Sequence, residues 1–222
     1  MTDAHCHVSA NDPAVREFLI GRDFFGVHPW DAGRVDEAGA LAELEARLEA
    51  EPLAGVGEIG LDRLAGREVT AEMRRLFEAQ LALAVKLGRP VVLHGAKCWG
   101  QVVEAVRRLS GGATGAGPFL YHGFSRSGGL VPEIVALKGY ISVGPAILND
   151  HAVNYRELAK ALPSERLLVE TDRTEENAAE CPTAREVLEK LAELRGVGAD
   201  ELERETDANA EAFFGGKRPT NH

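Results

Sequence analysis

Short apolar runs that begin abruptly and stop at polar or glycine-rich turns recur along the chain, at residues 1–8, 23–28, 53–61, 89–94, 118–122, 139–143 and 167–172. Near-continuous apolar stretches of this length read as strands buried on both faces. Between them, apolar residues return at helical spacing over residues 36–50, 70–87, 98–110, 129–137, 155–162 and 182–194, with a last helix over 202–214. The segment from Thr70 is the best marked. Thr70 suits an N-cap, Glu72 the first turn, and Met73, Leu76, Phe77, Leu81, Ala84 and Leu87 one apolar face before Gly88 stops the helix.

Strand and helix alternate throughout, which implies a parallel sheet covered by helices. Right-handed crossovers leave a closed barrel or an open doubly wound sheet. The barrel is favoured because polar residues with ligand chemistry close many different strands, where an open sheet would gather them at one switch point. The expected fold is α/β, a TIM-type (β/α) barrel. An eighth apolar run is hard to find, since residues 196–202 are too polar, so seven or eight strands are expected and the barrel is distorted. At 222 residues the chain suits one domain, residues 1–214, followed by a flexible tail, 215–222.

Charge narrows the chemistry. A formal net charge of −10 excludes a broad basic surface of the kind that tracks phosphates, so a polyanionic substrate would need bound cations. Cys6, Cys98 and Cys181 form no paired spacing and read as reduced thiols. The start MTDAHCHVSA lacks the charged and apolar regions of a secretory signal, and no apolar stretch is long enough to span a bilayer; a cytoplasmic monomer is expected.

His5 and His7, two residues apart on a strand, point to one face and suit a shared metal. Glu58 interrupts the apolar strand VGEIGLD, and a carboxylate buried there is costly unless paired, protonated or bound to a cation. His94, His122 and Asp172 each close a run, in VVLH, FLYH and LLVETD, where a barrel strand delivers its last residue to the mouth. Four histidines and two carboxylates match the donors zinc prefers; manganese, nickel or iron can use them, and more oxygen-rich ligation favours magnesium. A cation so held lowers the pKa of a water, and Asp172 could accept its proton. His28, in GVHPW, reads equally as a contact to substrate or ligand and as a structural residue before Pro29, while Asp62 reads first as a cap of the loop after the Glu58 strand and, as the less favoured alternative, as support behind a ligand. Arg126 and Arg173, just past strand ends, could bind phosphate through a planar fork of donors, although surface ion pairing is the simpler role. His151 and His222 read as solvated.

DAHCHV, GVHPW, GEIGLD, FEAQLALAVKLGRPVVLH, HGFSRS and VETD, in this order, resemble the TatD-related metal-dependent hydrolases, a branch of the amidohydrolase-like barrel superfamily. The resemblance runs from Met1 to about Phe214. It implies one or two divalent cations, with His5, His7 and Asp172 on the first, Glu58 bridging, and His94 and His122 completing the second. It also implies deoxyribonuclease activity and DNA as substrate. The chain departs from the pattern at HGAKCWG, where an Arg or similar polar residue two places after the histidine is usual; Lys97 could supply that charge, or Lys97 and Trp99 could shape a different pocket. Arg173 likewise follows Asp172 where a small residue and a proline are common. These departures keep a second reading open, hydrolysis of a small phosphoester, amide or lactone by the same water. A barrel that binds metal without turnover is the third.

Overall fold

Side chains and glycines set the helix boundaries in the computed structural model, which describes residues 1–111, 117–125 and 128–215. Helix α1 (Glu37–Ala50) starts where Asp36 accepts from the Gly39 amide, and α2 (Ala71–Leu87) where Thr70 accepts from the Met73 amide. Gly88, at φ 63°, then ends α2 in the left-handed conformation that only glycine adopts cheaply. Helices α3 (Trp99–Ser110), α4 (Val131–Ala136), α5 (Val153–Ala161), α6 (Ala184–Arg195) and α7 (Ala199–Phe213) complete the set. A capping box between Thr183 and Glu186 opens α6.

The strands are β1 (Thr2–Cys6), β2 (Arg16–Leu19), β3 (Phe24–Phe25), β4 (Gly55–Asp62), β5 (Val91–Ala96), β6 (Phe119–Tyr121), β7 (Gly139–Val143) and β8 (Leu167–Val169). Strands β3 to β8 pair in chain order and β1 pairs with β2, all in parallel. Two seams close the ring. Ile20 bridges Phe24 in parallel between β2 and β3. Opposite, the Asp172 amide donates to the His5 carbonyl at 3.0 Å, the His7 amide donates to the Arg173 carbonyl at 2.8 Å, and the buried Asp3 carboxylate accepts from the amide and hydroxyl of Thr171. Eight parallel strands therefore form the barrel.

The strand absent from the apolar pattern is β2. Arg16 and Glu17 occupy half of its four residues, and only Phe18 is fully buried, so no apolar run marks it. The links from β1 to β2 and from β2 to β3 carry no helix, whereas every later crossover does.

Side chains alternate along a strand, so inward positions stack in layers. The lower layer is apolar: Ala4, Phe18, Phe24, Val92, Leu120, Tyr140 and Leu168 form one cluster, plugged from below by Ala210 and Phe213 of α7. Two residues beyond Val92, Leu120 and Leu168 stand His94 on β5, His122 just past β6 and Glu170 just past β8. Packing thus fills the amino-terminal half of the barrel and chemistry its carboxyl-terminal half.

One expectation changes here. Trp99 shapes no pocket; it is 4% exposed and packs in the core with its ring 5.2 Å from Phe124 and 5.8 Å from Tyr121. Arg126, and the part of the tail from 216 onward that contains His222, lie outside the described residues. No described helix is long and apolar enough to cross a membrane.

Candidate metal centre

Two strands carry a bulge where a ligand-type side chain emerges. Two residues between Asp3 and Cys6 oppose the one between Glu17 and Leu19, and two between Val56 and Ile59 oppose the one between Val91 and Leu93. Bulges of this kind re-aim side chains next to functional sites; here they carry His5 and Glu58. Gly60 follows at φ 155°, and a Cβ there would lie 1.9 Å from the His94 carbonyl oxygen. The absent side chain lets β4 and β5 close up, and that closeness brings Glu58 to His94.

Glu58 is 3% exposed and lies at the centre. Its Oε2 faces His7 Nε2 at 3.4 Å and His5 Nε2 at 3.7 Å. Asp172 Oδ1 completes that side, 3.4 Å from His5 Nε2 and 3.6 Å from His7 Nε2. The other oxygen, Oε1, faces His122 Nε2 at 2.6 Å and His28 Nε2 at 3.6 Å, and contacts His94 Nδ1. His94 Nδ1 and His122 Nε2 are 3.2 Å apart. One carboxylate thus serves two groups of nitrogens, one through each oxygen.

The first group fits a divalent cation. Donor separations of 3.4–3.7 Å are those of ligands arranged tetrahedrally about 2.1 Å from a common centre. Both ring nitrogens of His5 are buried without a hydrogen-bond partner, as is Nδ1 of His122. Of these, His5 Nε2 faces Glu58 and Asp172, and a buried nitrogen left so is costly unless something satisfies it, which a cation held among these donors would do. Asp172 is held at φ 50°, a conformation that aspartate tolerates better than most residues and that turns its carboxylate toward His5 and His7.

Charge within the cluster is self-compensating. Burial alone would raise Glu58, but the neighbouring imidazoles, His122 foremost, hold its carboxyl well below the usual range. Burial opposes protonation of His122 too, yet Glu58 pushes that imidazole up to about 10; hydrogen bonds to Asp172 and Glu58 raise His7 to about 9. His5 goes the other way, lowered by burial and by the charge on His122.

Asp62 takes both roles that the sequence left open for it. It does cap the loop, accepting from the Leu64 amide at 2.5 Å through Oδ1, but Oδ2 also accepts from Trp30 Nε1 at 2.7 Å and lies 3.0 Å from His94 Nε2. Burial would raise this carboxyl; hydrogen bonds from His94, Trp30 and Leu64 instead hold it at about 2. An anion behind His94 fixes which nitrogen faces Glu58. His28 belongs to the same assembly, since its Nδ1 accepts from the Trp30 amide at 3.2 Å while Nε2 turns to Glu58.

Other expected residues lie further out. Lys97 is exposed, at φ 58°, with no hydrogen bond or ion pair among the described residues. Arg173 forms no ion pair among the described residues either; its guanidinium donates to the Ala178 carbonyl, and its own carbonyl joins β8 to β1. His151 is exposed, as expected, and stands on the rim of a cavity of about 1340 Å³ that Ser125, Asn154, Tyr155, Glu170 and Asp172 also line. That cavity opens beside the cluster, among the loops that follow β6, β7 and β8.

A parallel barrel whose carboxyl end gathers imidazoles around a shared carboxylate defines a class, the hydrolases that work through bound divalent metal. Comparison with known proteins narrows it. Residues 20–215 match the model of the TatD related DNase family, and the chain belongs to that family. It is 35% identical over 148 residues to the 3'-5' ssDNA/RNA exonuclease TatD of Edwardsiella piscicida, covering 66% of this chain and 55% of that protein. It is 28% identical over 198 residues to the metal-dependent hydrolase YabD of Bacillus subtilis, covering 85% of this chain and 75% of that one. The crystal structure of YjjV, a TatD homologue from Escherichia coli K12, superposes with a TM-score of 0.75 at 28% identity, over 92% of this chain and 78% of that one. The chain thus spans little more than half of the first relative's length and about three quarters of the other two.

Proposed function

We propose that this chain is a divalent-metal-dependent deoxyribonuclease that hydrolyses phosphodiester bonds of single-stranded DNA. The observation that carries the reading is the division of Glu58, with Oε2 toward His5 and His7 and Oε1 toward His94 and His122. A carboxylate so divided suits a bridge between two cations. His5, His7 and Asp172 would hold one, and His94 and His122 the other. The donor set suits zinc first, with manganese, nickel or magnesium as alternatives. When bound, such a pair supplies positive charge for a phosphoryl oxygen and a water acidic enough to ionise near neutral pH.

The chain's own groups do the rest. Asp172 is 48% exposed at the mouth and held anionic by His5 and His7, so it can accept the proton of an attacking water. The cavity beside it exceeds the roughly 300–1,000 Å³ of ordinary small-molecule sites, room suited to a segment of nucleic acid. The family and the exonuclease name of one relative support the same substrate.

Elemental analysis of the purified chain, paired with cleavage of end-labelled single- and double-stranded DNA, tests the reading. Near two equivalents of metal are expected, with cleavage abolished by chelation and by His122→Ala. Asp172→Asn should cut turnover by about a hundredfold or more. Bound metal without cleavage of any DNA would overturn the nuclease reading and direct the search to small phosphoesters, amides and lactones.

A further inference from the structure

Trp30 is the one aromatic side chain among the large apolar residues exposed at the described surface, with 51% of its area open, whereas the chain's other tryptophan, Trp99, is 4% exposed. It sits on the short helical turn Pro29–Asp31 directly after β3, beside the cluster. Exposed indoles are commonly loose, but this one is anchored. Its Nε1 donates to Asp62 at 2.7 Å, its amide donates to His28, and its ring meets the His28 ring edge-on at 4.7 Å. The guanidinium of Arg67 stands 4.5 Å from the ring centroid. The hydrogen-bonding capacity of the indole is thus used inward, one side of its ring is overlaid by the Arg67 cation, and about half of its area stays open to solvent.

In an eight-stranded ring β3 stands across from β7, so Trp30 and the large cavity flank the cluster on opposite sides. A strand laid from that cavity over the cluster would reach Trp30 with its next nucleotide. We infer that Trp30, backed by Arg67, is a stacking site for an unpaired nucleobase adjoining the scissile phosphate. The ligand class follows from the chemistry, because every base offers a π face and its attached phosphate offers a partner for the guanidinium. A paired base keeps its face inside the duplex, so the site selects single strands. This inference rests on the nuclease reading.

The test uses the metal-loaded full chain and an oligothymidylate with phosphorothioate linkages, titrated while tryptophan emission is followed. Quenching that saturates and disappears in Trp30→Phe, which leaves Trp99 as the sole emitter, is expected. On an ordinary oligothymidylate, Trp30→Ala should raise KM roughly 5- to 150-fold, the range for losing one stacked base. Trp30→Phe should keep most of the wild-type KM although it loses the hydrogen bond to Asp62. Moving a single abasic residue along the oligonucleotide should find one position at which the wild type suffers the same loss, and there Trp30→Ala should add nothing. If Trp30→Phe is as damaged as Trp30→Ala, or the two losses simply multiply, the indole acts only through Asp62 and the inference fails. Cleavage at unchanged KM in Trp30→Ala, without quenching in the wild type, overturns the stacking site and leaves the nuclease standing. Failure of the wild type to cleave DNA with any metal defeats the nuclease reading instead, and absence of quenching then overturns the stacking site as well.

Discussion

Five imidazoles, those of His5, His7, His28, His94 and His122, lie within 3.7 Å of one Glu58 oxygen or the other. Glu58→Gln preserves shape and removes the charge on which all five converge. Elemental analysis of that variant is expected to fall from about two equivalents of metal toward none, because an amide offers the proposed bridge one neutral oxygen in place of two charged ones. Asp62→Asn is gentler, since it leaves the proposed ligands in place and weakens only the support of His94. Chelator competition should show a loss of about 10- to 100-fold in affinity confined to one of the two sites; unchanged affinity at both would show that Asp62 merely caps its loop. His5, Glu58, His94, His122 and Asp172 were legible in the sequence because each is a polar residue in or at the end of an apolar run. For Asp62 the sequence favoured the loop cap over the support of His94, because the second role depends on the other oxygen facing distant partners, one of them Trp30, which is 32 residues away.

At the scale of elements, helices were the most readable parts, since Asp36, Thr70, Gly88 and Gly196 cap or stop them by local chemistry. Strand β2 was hidden because pairing with β1 defines it more than its own four residues do. The bulges in β1 and β4 were hidden for a related reason: a register shift exists only between two strands. Gly60 ties these features to the site. A methyl group there would meet the His94 carbonyl and hold an unfavourable φ, so Gly60→Ala should destabilise the chain by at least about 2 kcal/mol. The midpoint of denaturant unfolding measures this. Because β4 and β5 carry Glu58 and His94, whatever fraction stays folded should bind less metal; a folded variant with normal metal content would show that the strands can separate without disturbing the cluster.

For the molecule as a whole, protons and metal compete for the same imidazoles. Without metal, His7 and His122 are pushed to about 9 and about 10, above the ordinary histidine value, so the folded chain binds protons there that the unfolded chain has already lost by neutral pH. A group raised in this way contributes stability that is complete below the unfolded value, near 6.5, and disappears as pH rises through the folded value. Glu58 and Asp172, lowered by the same contacts, contribute stability that is lost as pH falls below the ordinary carboxylate range. The metal-free chain should therefore melt highest at mildly acidic pH and lose Tm steadily from about pH 7 to 10. Metal reverses the dependence, because proposed ligands must shed those protons to bind it and affinity at each site should rise by about a decade per pH unit for each imidazole of that site still protonated. The gain in Tm on adding a fixed excess of zinc should accordingly be small at pH 6 and grow toward pH 9, since stabilisation follows the logarithm of ligand over dissociation constant. Thermal melts of chelated and zinc-loaded protein across that range give both slopes, and parallel curves would mean that His7 and His122 are not the groups that metal displaces protons from.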